Sequence, residues 1–95
     1  MIDLQDGFEN DSIIIYLDNK EIYRQDSVTS NMMLGFAARV EASSSERVVT
    51  LSINLIRRKL KKSLQVELDK TGAIGIAILN NEILIRQSST PFGYA

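Results

Sequence analysis

Residues Val48–Leu68 constrain the fold of this chain more than any other segment, because two apolar runs flank a basic cluster there. Apolar side chains alternate with polar ones from Val49 to Leu55, and they alternate again from Leu64 to Leu68. A period of two places the apolar side chains on one face of a β-strand. The segment therefore predicts a long hairpin whose turn carries a cluster of basic residues: Arg57, Arg58, Lys59, Lys61 and Lys62.

A helix over residues 44–62 is the competing interpretation of this segment. Several apolar residues also recur at spacings of three and four, and Ser43 and Glu46 have the spacing of a helix capping box. Strands are favoured because β-branched residues are frequent here, and because Ser52 and Asn54 are poor helix formers. An α+β fold that contains this helix is the alternative fold class.

Two further hairpins are predicted from short apolar runs that are separated by turn residues. In the first, Ser12–Leu17 is followed by Asp18, Asn19 and Lys20 and then by the return strand Glu21–Gln25. Asp and Asn tolerate the left-handed backbone that a tight reversal requires. The second joins the buried strand Ala73–Leu79 to Glu82–Gln87 through Asn80 and Asn81. In AIGIAIL the small residues share one face, which predicts close packing against that face.

Together with a third alternating run, Leu34–Glu41, these patterns predict about seven strands and no helix. The predicted fold class is all-β, a small antiparallel β-sandwich. A chain of 95 residues is expected to form one domain, residues 1–95. Within it, residues 1–11 form an acidic N-terminal segment, and residues 88–95 form a C-terminal tail without a period of its own.

Composition excludes several classes of protein. The chain has no histidine and no cysteine, so the commonest general base, the thiolate nucleophile and the usual ligands of transition metals are missing. We expect no enzyme activity, no cofactor and no metal site. No apolar run approaches the roughly 20 residues that span a bilayer, and the acidic start of the chain does not look like a signal peptide. A soluble, cytoplasmic protein is therefore expected.

Charge is segregated along the chain although the net charge is only −1. Met1–Asp26 has seven acidic and two basic residues, whereas Arg39–Lys62 has seven basic and two acidic ones. The leading hypothesis is a non-catalytic module for protein interaction or self-association, acting through a sheet edge or face. The alternative is binding of an anion or a nucleic acid by the basic turn, with Arg57, Arg58, Lys59, Lys61 and Lys62 as candidate binding residues. No aromatic residue is interleaved with these five, which disfavours nucleic acid.

Overall fold

Eight β-strands and their connecting turns make up the computed structural model of the protein, which describes residues 1–31, 33 and 35–93. Nothing in the described part of the chain is helical, so it contains no helix of the length and apolarity that crossing a membrane requires. The strands are β1 (Ile2–Leu4), β2 (Asp11–Leu17), β3 (Lys20–Val28), β4 (Ala38–Val40), β5 (Val48–Leu55), β6 (Leu60–Glu67), β7 (Ala73–Leu79) and β8 (Glu82–Ser88).

The strands form two four-stranded sheets, as the prediction of an all-β sandwich requires. One sheet has the order β4-β1-β7-β8, and the other has the order β3-β2-β5-β6. Every pair of neighbouring strands is antiparallel except β1 and β7, which run parallel. The first sheet therefore combines the beginning of the chain with its last hairpin.

The segment Val48–Leu68 forms the predicted hairpin, and the helix over residues 44–62 is wrong. β5 and β6 pair without a register shift from Val48 opposite Glu67 to Leu55 opposite Leu60. Val49, Leu51, Ile53 and Leu55 are all buried, while the residues between them are more exposed. The paired strands are formed instead of a helix because this arrangement buries the whole apolar face of β5 in the core.

The two shorter hairpins are also confirmed, although Lys20, predicted to lie in the first turn, already begins β3 and pairs with Leu17. Asp18 and Asn19 both have positive φ, at 49° and 68°, and Asn80 and Asn81 have φ of 52° and 59°. Positive φ at both central residues is the property of the type I′ turn, which matches the twist of the flanking strands. These asparagines and the aspartate therefore set the pairing next to each turn, Leu17 with Lys20 and Leu79 with Glu82.

The sequence patterns missed β1 and overestimated the third strand. Residues 1–11 were expected only as an acidic segment, yet Ile2–Leu4 is a fully buried strand between β4 and β7. The run predicted over Leu34–Glu41 is reduced to Ala38–Val40, with an isolated bridge between Asn31 and Phe36; Leu34 lies outside the described residues. Three-residue strands carry too little alternation to be recognised from sequence. In the predicted tail 88–95, β8 extends to Ser88, and residues 94 and 95 lie outside the description.

The core lies between the two sheets and is almost entirely aliphatic. It is formed by buried side chains from all eight strands and by Phe8 of the β1–β2 loop. The outer face of β7, which carries the small residues Ala73, Gly75 and Ala77, is covered as the sequence predicts. The side chain of Gln5 lies against Gly75, so closely that a Cβ added at Gly75 would be 2.5 Å from the Gln5 Oε1.

Candidate functional site

The basic turn joins β5 to β6 through residues 56–59 at one end of the sandwich. Its backbone is closed by a hydrogen bond from the Lys59 amide to the Ile56 carbonyl oxygen, and Lys59 has φ of 56°. The Ile56 amide donates to the Ser12 carbonyl oxygen at the start of β2. The turn is therefore attached to the neighbouring strand and does not project as an isolated tip.

Arg58 is the most strongly bound of the five predicted site residues. Its guanidinium makes two hydrogen bonds to the Asp11 carboxylate, from Nε to Oδ1 at 2.7 Å and from the second terminal nitrogen to Oδ2 at 2.9 Å. The same nitrogen donates to the Gly7 carbonyl oxygen at 3.2 Å. The Asp11 side chain is 3% exposed and that of Arg58 is 24% exposed. Hydrogen bonding to Asp11 raises the pKa of Arg58 further above its high ordinary value, despite opposing desolvation.

Arg57 and Lys62 are also bound to the protein itself. The Arg57 guanidinium donates to the Asn10 carbonyl oxygen at 2.7 Å. The Lys62 ammonium donates to the Ile83 carbonyl oxygen at 3.0 Å, and this bond connects the edge strand of one sheet to that of the other. Lys62 reaches across because it is opposite the buried Ile53 and therefore shares the inner face of β6.

Of the five, only Lys59 and Lys61 have side chains without a hydrogen bond or ion pair to the described residues, and both are exposed. The five basic residues are thus neighbours in sequence but not one free cluster. Arg58 is neutralised by Asp11, and Glu9 lies near enough to raise the Arg58 pKa as well. A polyanion would meet the exposed bases of the turn beside the acidic β1–β2 loop, which weakens the attraction.

A second buried carboxylate, that of Asp3 in the other sheet, is also paired with an arginine. The Asp3 side chain is completely buried in β1 and receives two hydrogen bonds from Arg39 of β4, at 2.8 and 3.1 Å. Arg39 also lies 5.7 Å from the centre of the Phe36 ring. In the described part of the chain no three acidic side chains are grouped so that they could hold a metal ion. Two acids of the N-terminal segment, Asp3 and Asp11, thus serve as partners of arginine.

A second candidate site is the set of sheet edges, since each sheet ends in two edge strands. An edge presents unpaired backbone groups to which another strand can add, and proteins guard edges with short strands, charges and bulges. β4 is only three residues long, β3 carries charges and two register shifts against β2, and β6 contains Lys61 and Lys62. Each of these three edges is therefore guarded by a feature that hinders the addition of another strand.

β8 is the least guarded edge. Its seven residues pair with β7 without a register shift, and it contains the uninterrupted apolar run Ile83, Leu84 and Ile85. Leu79 and Glu82 are opposite each other beside the two-residue turn, so they form a hydrogen-bonded pair. Alternation then directs the backbone groups of Ile83, Ile85 and Gln87 away from β7. The bond from Lys62 to the Ile83 carbonyl oxygen agrees with this direction.

The outward backbone groups of Ile85 and Gln87 make no hydrogen bond within the residues that the structure describes. On the outer face of the same strand, Glu82 and Arg86 are exposed and Leu84 is partly exposed. The sequence predicted the strand but not this site, because sheet order decides which strand is an edge, and order depends on contacts distant in sequence. The sequence feature that could have indicated an unguarded edge is the absence of charged residues between Glu82 and Arg86.

Comparison of the chain with protein-family models, with curated proteins and with solved structures found no match of any of the three kinds. The candidate sites therefore rest on their own geometry.

Proposed function

We propose that this protein is a non-catalytic interaction module, active in the cytoplasm, to which a partner adds a β-strand at the edge formed by β8. One observation carries the proposal: β8 is a regular seven-residue edge with outward-directed backbone groups at Ile85 and Gln87 that have no described partner. An added strand gains affinity from hydrogen bonds to such backbone groups, and it gains specificity from contacts with the alternating side chains. The apolar run from Ile83 to Ile85 supplies contact area.

A photoreactive amino acid placed at residue 84 tests this proposal in cells that produce the protein. Residue 84 lies on β8 next to the outward backbone groups, and residue 25 on β3, an edge strand of the other sheet, serves as the matched control. Cross-linking from residue 84, and not from residue 25, is the expected result. Equal cross-linking from both residues, or none from residue 84, would refute strand addition at β8.

Binding of an anion or a nucleic acid by the basic turn is the weaker candidate. Arg58 is neutralised by the buried Asp11 carboxylate, so at most Arg57, Lys59, Lys61 and Lys62 could meet a ligand, and Arg57 and Lys62 already donate one hydrogen bond each to the chain. At most four phosphate contacts are then possible, so the slope of log affinity against log salt would be no steeper than about −4. Titration of a short oligonucleotide at low salt tests this candidate, and replacing Lys59 and Lys61 by alanine should weaken any binding observed.

A further inference from the structure

We infer that the strand added at this edge is β8 of a second copy, which runs antiparallel so that Leu84 is opposite Leu84 of the second copy. This inference rests on the proposed function, and it specifies the partner and the register. In this register Glu82 is opposite Arg86 of the second copy, and Ile83 is opposite Ile85. The sheet that contains β8 would continue through a twofold axis into the corresponding sheet of the other copy.

The backbone of β8 limits the registers that are possible. Only Ile83, Ile85 and Gln87 direct their amide and carbonyl groups outward, so these residues must be opposite one another across the joint. With Leu84 on the axis, Ile83 exchanges two hydrogen bonds with Ile85 of the second copy, and the symmetric pair adds two more. The Ile83 carbonyl oxygen has a second lone pair beside the one that Lys62 uses.

Charge selects this register among those that the backbone allows. Glu82 and Arg86 lie four residues apart on the same face of β8, with the partly exposed Leu84 midway between them. Neither Glu82 nor Arg86 forms an ion pair within the part of the chain that the structure describes. An antiparallel copy centred on Leu84 places each acid opposite a base, twice in the dimer, because of the twofold axis.

The strand is thus complementary to itself, which is the requirement for an isologous interface. A parallel copy would place Glu82 beside Glu82 and Arg86 beside Arg86, and like charges directly opposite each other are unfavourable. An unrelated partner would need the same order of acid, apolar run and base. The pattern Glu82, Leu84 and Arg86 therefore favours a second copy over a different chain.

Disulfide trapping tests the register directly, because the natural chain contains no cysteine. In the inferred dimer Leu84 and its symmetry mate form a non-hydrogen-bonded pair, whose Cα atoms are about 4.5 Å apart. That separation lies within the range of a disulfide. Leu84→Cys is therefore expected to form a covalent dimer rapidly under mild oxidation. Rapid trapping by Ile85→Cys in its place would show a different register and overturn the inference, as would slow trapping of both variants.

Charge reversal is the second test, and it does not depend on an engineered bond. Glu82→Arg and Arg86→Glu should each weaken the dimer about tenfold, because two attractive pairs become repulsive. The double variant should restore the affinity of the natural chain. Glu41→Arg makes the same change of charge at an exposed residue outside β8 and should leave the affinity unchanged. Sedimentation over a range of concentrations measures all four variants, and no rescue by the double variant would contradict the register.

The self-pairing inference can fail while the proposed function survives. If the photoreactive residue 84 captures only a different protein, and Leu84→Cys gives no covalent dimer, then the edge binds another chain and the inference is wrong. If residue 84 captures nothing and the protein sediments as a monomer at every concentration, then the proposed function and the self-pairing inference are both wrong. Capture of the same chain, together with trapping by Leu84→Cys, is the result that we expect.

Discussion

The Arg58 guanidinium binds both oxygens of the Asp11 carboxylate, and this pair attaches the β5–β6 turn to the start of β2. Asp11 also accepts a hydrogen bond from the Glu9 amide at 2.8 Å, so the carboxylate orders the loop before its own strand. Arg58, one of the five candidate binding residues, is therefore part of the scaffold.

Removing the Arg58 side chain should destabilise the fold substantially. Arg58→Ala leaves the Asp11 carboxylate buried without its cationic partner, and breaking such a pair from one side lowers the free energy of unfolding by about 3 kcal/mol. Lys61→Ala is the matched control, since Lys61 is exposed and has no described partner; its change should stay within about 0.5 kcal/mol. Urea denaturation measures both. Equal stability of the two variants would show that the Arg58 pair contributes nothing.

The Asp3–Arg39 pair should show strong energetic coupling. Asp3→Ala and Arg39→Ala each remove one partner, but the double variant removes both and leaves no buried charge unpaired. We expect the coupling energy between the two residues to be roughly 1 to 2 kcal/mol, reduced because the Arg39 side chain is 41% exposed. A double-mutant cycle from urea denaturation gives the coupling energy. If the two substitutions change the free energy of unfolding additively, the two side chains do not stabilise each other.

Gly75 should not tolerate even one added methyl group unless Gln5 is shortened. The Cβ of Gly75→Ala would overlap the end of the Gln5 side chain, which is itself buried, and such overpacking costs about 1 to 3 kcal/mol. Combining it with Gln5→Ala should recover part of the loss, because the overlapping atoms are then absent. Thermal unfolding of the two single variants and the double variant tests this contact. Equal melting temperatures for Gly75→Ala and the natural chain would argue against it.

Lys62 should act as a partial guard of the β8 edge. Lys62→Met keeps the apolar stem of the side chain but removes the hydrogen bond to the Ile83 carbonyl oxygen, which then becomes fully available to another strand. Self-association should become severalfold tighter, while the free energy of unfolding should change by less than about 1.5 kcal/mol. Light scattering over a range of concentrations measures the first effect. Weaker association of Lys62→Met would contradict the assigned role.

The fold was largely predictable because its hairpins are local. Asp18 with Asn19, and Asn80 with Asn81, set turn geometry by themselves, and the alternation from Val49 to Leu55 needs no information from distant residues. β1 could not be predicted, since a three-residue strand has almost no pattern and its place between β4 and β7 depends on the whole fold.

The candidate sites were less predictable than the fold. The sequence gathers Arg57, Arg58 and Lys62 with two other bases, but their hydrogen-bond partners Asn10, Asp11 and Ile83 lie far away along the chain. Sequence order therefore could not show that three of the five bases are bound. The sequence also could not show that β8 is an edge strand. That follows only from the order of the assembled sheet, in which no strand lies beyond β8 within the described residues.

Amide hydrogen exchange at Ile85, measured as a function of protein concentration, tests the central claim most directly. The adjacent Leu84 amide points toward β7, where Leu84 is opposite Ala77, and it should be protected at every concentration. The Ile85 amide should exchange rapidly in dilute solution and become protected as a second β8 adds to the edge. Rapid exchange of the Ile85 amide at all concentrations, with Leu84 protected throughout, would show that the edge stays open and would contradict self-pairing.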